Sequence, residues 1–445
     1  MKRRLELLIA GVLAAIALTG CSDNPSGSSP RSALPAATPC GTIDGRGCAR
    51  AGERVDLLGP SFSNSTKIRN PLFPISRLRS AVLLGHVDGK PFRTETTLLP
   101  GAKTVAWNGR KIRVLLSQYL AYLDGRITEV ALDRYAQAND GSVWYLGEDV
   151  FDYRNGAVAI TEGTWLAGRE GPGAMIMPAH PEVGDVYRTE NVPGIVFEEV
   201  TVKSVGGTVT GPHGRVKGAM VASELHTDGT REDKIFAPGY GEFRTSGGGD
   251  LEALALAVPA DARRGPVPGE LHLLAIGATA ILESSRVREW ETAAATLARM
   301  RAAWKTLKAE APPPMIAARL SQALESLSAA TKAHQAARLE QAAIDLGHSA
   351  YDLQLRYRPA DEIDQARFEL WTQQLRVDAA AGDLGAVSGD VAVLEWIRDR
   401  FAHALDPARR RGLDTRLHDL RSASDTKNLP AAADHAARLA AWLRR

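Results

Sequence analysis

His348 and Asp352 stand four residues apart in the most polar stretch of the chain, which runs from His348 to Arg367. On a helix that spacing puts both on one side. An imidazole and a carboxylate so placed can share a metal ion inside a helical bundle if another helix adds a carboxylate, and Glu369 and Asp378 are the candidates. The same residues also suit an interhelical hydrogen-bond network. No Glu-x-x-His or His-x-x-Glu pair repeats on partner helices, so the network is the expectation and no metal ligand is assigned. Arg356, Arg358 and Arg367, beside Asp361, Asp364 and Asp378, read as mutual ion pairs at a corner where Pro359 breaks the helix. His180-Pro-Glu182 with Asp185 has cation-binding residue types but lies in a loop between turn signals.

Other chemistries find no carrier. The chain has no Gly-x-Ser-x-Gly elbow, no His-Glu-x-x-His, and no phosphate-cradling glycine loop followed by Lys-Ser/Thr. Gly247-Gly-Gly249 is followed by Asp-Leu-Glu, which repels phosphate. No catalytic or cofactor-binding residue is assigned, and a non-enzymatic role is expected. Cys40 and Cys48 flank a turn-rich loop, Gly41 to Gly47. In an oxidising compartment this pair is expected to close as a disulfide. Zinc ligation is disfavoured because no His or third Cys lies nearby, and the spacing is not the Cys-x-x-Cys of redox sites.

The compartment is read from the first twenty-one residues. A basic start, Met1-Lys2-Arg3-Arg4, precedes an apolar run from Leu7 to Leu18. That run is too short for a membrane span, which takes roughly 20 apolar residues, but suits a signal-peptide core. It closes with Leu18-Thr19-Gly20-Cys21, which resembles the lipobox of bacterial lipoproteins. The resemblance implies cleavage after residue 20 and acylation of Cys21 on its thiol and its new amine. Two or three acyl chains hold a protein firmly where one is marginal. The implied location is extracytoplasmic and membrane-anchored, on the outer membrane if the cell has one and otherwise on the cell surface. Without the leader's Lys2, Arg3, Arg4 and Glu6, the 54 basic and 52 acidic side chains become equal in number. A balanced chain offers no broad electrostatic surface to nucleic acid.

The elements that must position these residues fall into blocks. Residues 21–60, rich in Ser, Pro, Gly and Ala, read as a lipid-anchored flexible tether carrying the small disulfide loop. Residues 61–262 read as an antiparallel β domain, a meander forming a half-barrel or a sandwich. Its short β-prone runs are cut by Asp88-Gly89, Asn108-Gly109, Asp124-Gly125, Asp140-Gly141, Asn155-Gly156, Gly206-Gly207 and Asp228-Gly229, which offer positive-φ turn positions. Its aromatics, Trp107, Tyr119, Tyr135, Trp144, Tyr145, Tyr153 and Trp165, are expected in its core or rim. The phrases Asn70-Pro-Leu-Phe-Pro74, Tyr135 to Asp149, Pro181 to Arg188 and Ala237 to Phe243 resemble a group of uncharacterised secreted bacterial β-domains. Those in turn look like half-barrel envelope lipoproteins that include outer-membrane lipoprotein carriers. The resemblance covers 70–259 and implies a fold, with no functional residue carried over.

Residues 263–269 form a Pro/Gly linker, and 270–445 read as an all-α bundle of hairpin units. Apolar pairs nineteen apart recur at Ile281/Met300, Leu327/Leu346, Leu375/Leu394 and Leu420/Leu439. A polar residue falls eight after each first member: Glu289, Gln335, Asp383, Asn428. Each can start a second helix after a short turn, as a pair of antiparallel bundles or a stack of hairpins, the bundles being favoured. The fold class is thus α+β as two separate domains. Function is left among three readings: a non-catalytic binding or scaffolding role in the envelope, a carrier of an apolar ligand on the concave sheet face, or a metal-binding protein using the bundle. An open lining favours the carrier and a filled interior the scaffold.

Overall fold

The computed structural model describes residues 39–444. The expected leader, Cys21 and the tether up to residue 38 lie outside the described residues. Between Ser80 and Val258, Asx-Gly turns and β-prone runs build one antiparallel meander. It opens with β1 (Ser80–Val87), β2 (Lys90–Leu98), β3 (Lys103–Trp107), β4 (Arg110–Leu123), β5 (Arg126–Gln137) and β6 (Val143–Arg154). Three short strands, β7 (Ala157–Ile160), β8 (Trp165–Leu166) and β9 (Ala174–Met177), all pair with β6. The second half comprises β10 (Val186–Val192), β11 (Val196–Gly211), β12 (Gly214–His226), β13 (Arg231–Ala237), β14 (Gly241–Gly247) and β15 (Asp250–Val258). β15 returns to pair with β1, and the order β10-β11-β12-β13-β14-β15-β1-β2-β4-β5-β6-β7 leaves the sheet open.

Asp88-Gly89, Asn108-Gly109, Asp124-Gly125 and Asn155-Gly156 each join consecutive strands with both residues at positive φ. That backbone matches the twist of the strands it connects. Asp140-Gly141 and Asp228-Gly229 also lie between strands. Gly206-Gly207 does not: it falls inside β11, where the register against β12 shifts, so it forms a bulge rather than a hairpin turn.

Of the expected aromatics, Trp107, Tyr135, Trp144, Tyr145 and Trp165 are buried in one core on the concave side, with Ile68, Leu72 and Tyr187. Tyr153 faces the other way, into the helices. The tether expectation is corrected at its distal end. Cys40 and Cys48 are disulfide-bonded as expected, but their loop lies on the sheet edge. The Ile43 N–H donates to Thr227 O at 2.7 Å, Arg188 donates to Pro39 O at 3.1 Å, and Arg54 bridges to Val186. The chain is therefore fixed to the sheet from residue 39 onward.

An all-α domain follows: α1 (Gly269–Arg286), α2 (Trp290–Lys308), α3 (Pro314–Lys332), α4 (Ala336–Gln354), α5 (Ala360–Ala381), α6 (Leu384–Phe401), α7 (Pro407–Asp425) and α8 (Leu429–Leu443). Neighbour packing makes two antiparallel four-helix bundles, α1–α4 and α5–α8, joined along α4 and α5. All eight residues of the nineteen-spaced pairs are fully buried. Glu289, Gln335, Asp383 and Asn428 are the N-caps of α2, α4, α6 and α8. Only Asp383 and Asn428 cap with their side chains, accepting from the N–H groups of Ala386 and Ala431. The residue before each cap, Arg288, His334, Gly382 and Lys427, has positive φ, so one left-handed turn recurs in all four hairpins. Among the described residues no helix is long and apolar enough to cross a membrane.

The helices lie on the convex face of the sheet. Val82, Leu84, Leu256 and Val258 share a core with α1–α4, while Leu120, Tyr122, Val130 and Tyr153 share one with α5–α8. The Asn155-Gly156 turn seats in a notch of small residues on α6. A Cβ on Gly156 would lie 2.0 Å from Gly385 O and 2.4 Å from Gly389 N.

Candidate functional site

Alternation along the strands decides which side chains face the concave side. Residues 92, 94 and 96 of β2 and 129, 131, 133 and 135 of β5 face it, with 148, 150 and 152 of β6 and 224 and 226 of β12. At one end this face is filled by the Trp107–Trp144–Trp165 core. Toward the other end it opens into a cavity of about 680 Å³ whose edge includes Asp88, Asp228 and Gly248 in hairpin turns. Its apolar wall includes Phe73, Leu83, Phe92, Tyr119, Val150 and Phe236. Tyr135 and Tyr145 stack with centroids 4.9 Å apart, and the Tyr145 hydroxyl donates to Asp133 at 2.6 Å.

Over this wall, among the described residues, thirteen carboxylates meet only Arg231, Lys234 and His226 as basic side chains. Gathering like charges in a low-dielectric hollow penalises their ionised forms. Burial, with the Glu242 charge adding to it, pushes the Glu252 carboxyl up to about 8, even though Thr94 donates a hydrogen bond to it. Burial and then Glu198 push Glu224 up. Burial alone would lower His226, but the carboxylates of Glu198, Glu232 and Glu224 around its ring carry it up to about 9. Burial likewise works against the Lys234 ammonium, and Glu224, Glu242 and Glu198 overcome it and hold the group charged. Among the described residues the wall's own side chains favour positive charge.

The polar corner of the helices is a different kind of site. Arg93 and Glu95 project from β2 on the convex side and meet Asp352 of α4, Asp364 and Arg367 of α5, and Arg400 of α6. Arg93 holds Asp352 at 2.7 Å, Arg367 holds it at 2.6 Å, and Arg400 holds Glu95 at 2.6 Å. Each of these six side chains is at most 12% exposed. Three guanidinium groups face three carboxylates, so the charges of these six groups balance.

His348 stays outside that network. Its ring lies edge-on to Trp371 at 5.4 Å, and burial with the Arg93 charge lowers it to about 4, which leaves it neutral. The two carboxylates proposed to join it lie elsewhere: Glu369 is 3.9 Å from Arg444, and Asp378 accepts from Gln374 at 3.0 Å. Of the expected corner pairs only Arg367–Asp364 forms, at 3.3 Å, while Arg358 pairs with Glu362. His180 is exposed, and Asp185 accepts from the Glu182 N–H at 2.8 Å, closing a loop.

The acidic hollow and His226 were missed by the sequence reading. The available signal was sign segregation: polar positions facing one side of β5, β6 and β11–β15 are mostly Asp and Glu. No protein-family model matches this chain, and no curated protein matches it.

Proposed function

We propose that the chain is a lipid-anchored, non-catalytic binding protein of the cell envelope, tethered through Cys21. On the concave face of its β domain it holds a ligand with an apolar body and a positively charged group. The observation that carries this reading is the pairing, in one hollow, of an aromatic and aliphatic wall with acidic side chains that, among the described residues, outnumber the basic ones, Glu224, Glu242 and Glu252 included. A hollow of this volume is in the range of small-ligand sites. Hydrocarbon gains about 25 cal/mol per Å² on leaving water for such a wall. A fatty acid would bring its own carboxylate into the acidic hollow, whereas a protonated amine offsets a charge already there. The open interior supports ligand holding over a purely scaffolding role.

The test compares dodecylamine with dodecanoate at pH 7 by thermal shift and equilibrium binding. The amine is expected to bind at least about tenfold tighter, a difference of about 1.4 kcal/mol. Equal affinities, a preference for the acid, or no binding of either would remove the ligand reading. The anchor is tested separately. Cys21→Ser should block processing and leave a membrane-associated precursor about 2 kDa heavier than the mature chain, and normal cleavage and release would remove the anchor.

A further inference from the structure

We propose that the concave face carries a site for a divalent transition metal of zinc chemistry, formed by Glu198, Glu224 and His226. The proposal rests on the concave face being the binding face. Strand pairing builds the site. Glu198 of β11 is directly opposite His226 of β12, and Glu224, two residues earlier on β12, points to the same side. Glu224 is in turn opposite Glu232 of β13. One ligand atom from each of Glu198, Glu224 and His226 lies within 4.8 Å of the other two. The His226 Nδ1 is 3.3 Å from Glu198 Oε1, and its Nε2 is 3.8 Å from Glu224 Oε2 and 3.6 Å from Glu232 Oε2. Small side-chain movements bring such atoms to the roughly 2.0–2.2 Å bonds of a zinc ion.

A second observation is independent of that clustering. Nε2 of His226 and Oε2 of Glu224 are buried and make no hydrogen bond, although Glu224 is only 2% exposed. Among the described residues the basic groups against Glu224 Oε2 are the Lys234 ammonium at 2.7 Å and the His226 ring at 3.8 Å, neither with hydrogen-bond geometry. Buried polar atoms are ordinarily hydrogen-bonded, so two such atoms turned toward each other ask for an occupant. One imidazole nitrogen with carboxylate oxygens suits zinc better than calcium, which takes six to eight oxygens. The partial exposure of Glu198 and His226 leaves a coordination position toward the cavity.

The experiment titrates zinc into the metal-free mature chain against a chromophoric chelator, with melting temperature as a second readout. One zinc per chain is expected, with a rise in melting temperature. His226→Gln and Glu224→Gln should each weaken zinc at least tenfold, while His180→Gln leaves it unchanged. Glu198→Gln, at a partly exposed position, should give the same loss and covers the case in which a buried variant misfolds. Calcium at the same concentration should not shift the melt. No stoichiometric zinc, or zinc affinity within twofold of wild type in both His226→Gln and Glu198→Gln, overturns the site. Because the amine comparison is run without metal, its outcome is separate: amine binding with inert zinc removes only the metal site.

Discussion

Glu95→Gln is expected to lower the stability of the whole chain by about 3–5 kcal/mol, the usual penalty for removing one partner from a buried ion-pair network. Glu95 accepts from Arg93 and Arg400 and lies 3.9 Å from Arg367. Burial works against its charge, but Arg367, Arg93 and Arg400 hold its carboxyl well below the ordinary range. Without it, three buried guanidinium groups face only Asp352 and Asp364. The contacts of Asp364 to Arg367 and Arg400 are longer, 3.3 and 3.4 Å, and burial pushes its own carboxyl up. A depressed folded-state value means that the contribution of Glu95 is present above the ordinary carboxylate range and is lost as the pH falls below it. The deficit of the variant, measured by urea unfolding, should therefore be full at pH 7 and shrink toward pH 3. Glu95→Gln/Arg400→Gln should lose less than the sum of its single changes, because it restores neutrality. A loss under 1 kcal/mol, or strict additivity, would show that the network contributes little.

The network also says how the two domains behave as one body. Its members come from β2, α4, α5 and α6, and apolar contacts from both bundles surround it. The Arg263–Gly269 linker is largely exposed, yet cutting it would leave every one of these contacts in place. Separating the halves, in contrast, would strip Arg93 and Glu95 of their helical partners while exposing Leu84, Leu120, Tyr122 and Leu256.

What could be read from the sequence was local. Asx-Gly pairs need positive φ, a property of two residues, and they located hairpins without any knowledge of the sheet. Gly206-Gly207 carries the same local freedom, but pairing with β12 continues past it, so the outcome depended on tertiary context. The nineteen-residue apolar spacing survived because each helical hairpin repeats one left-handed turn between helices of similar length. The concave site was not legible for the opposite reason. Glu129, Asp133, Glu148 and Asp152 alternate with apolar residues, which reads as the solvent side of an ordinary antiparallel sheet. Only the curvature of fifteen strands turns that solvent side into the wall of a hollow. Arg93 and Glu95 were hidden in the same way: their helical partners lie 259 or more positions along the chain.

The curvature has a measurable electrostatic consequence at Glu252. The polar and charged groups acting on its carboxyl are Thr94 on β2, Glu242 on β14, Lys234 on β13 and Glu129 on β5, and burial is the largest influence. Its folded-state value of about 8 lies above the ordinary 4.5. Between those two pH values the folded chain keeps a proton that the unfolded chain releases, so stability falls as the pH rises and the penalty is complete above 8. Glu252→Gln keeps an oxygen for the Thr94 hydroxyl and removes the charge. It is expected to match wild type near pH 4 and to exceed it above pH 8 by on the order of 3–5 kcal/mol. Melting curves from pH 4 to 9 give the difference directly, and parallel curves for the two proteins would show that Glu252 does not titrate in the hollow. A bound protonated amine relieves the same penalty by another route. Its affinity for wild type should rise as the pH goes from 6 to 8, and that rise should be smaller in Glu252→Gln.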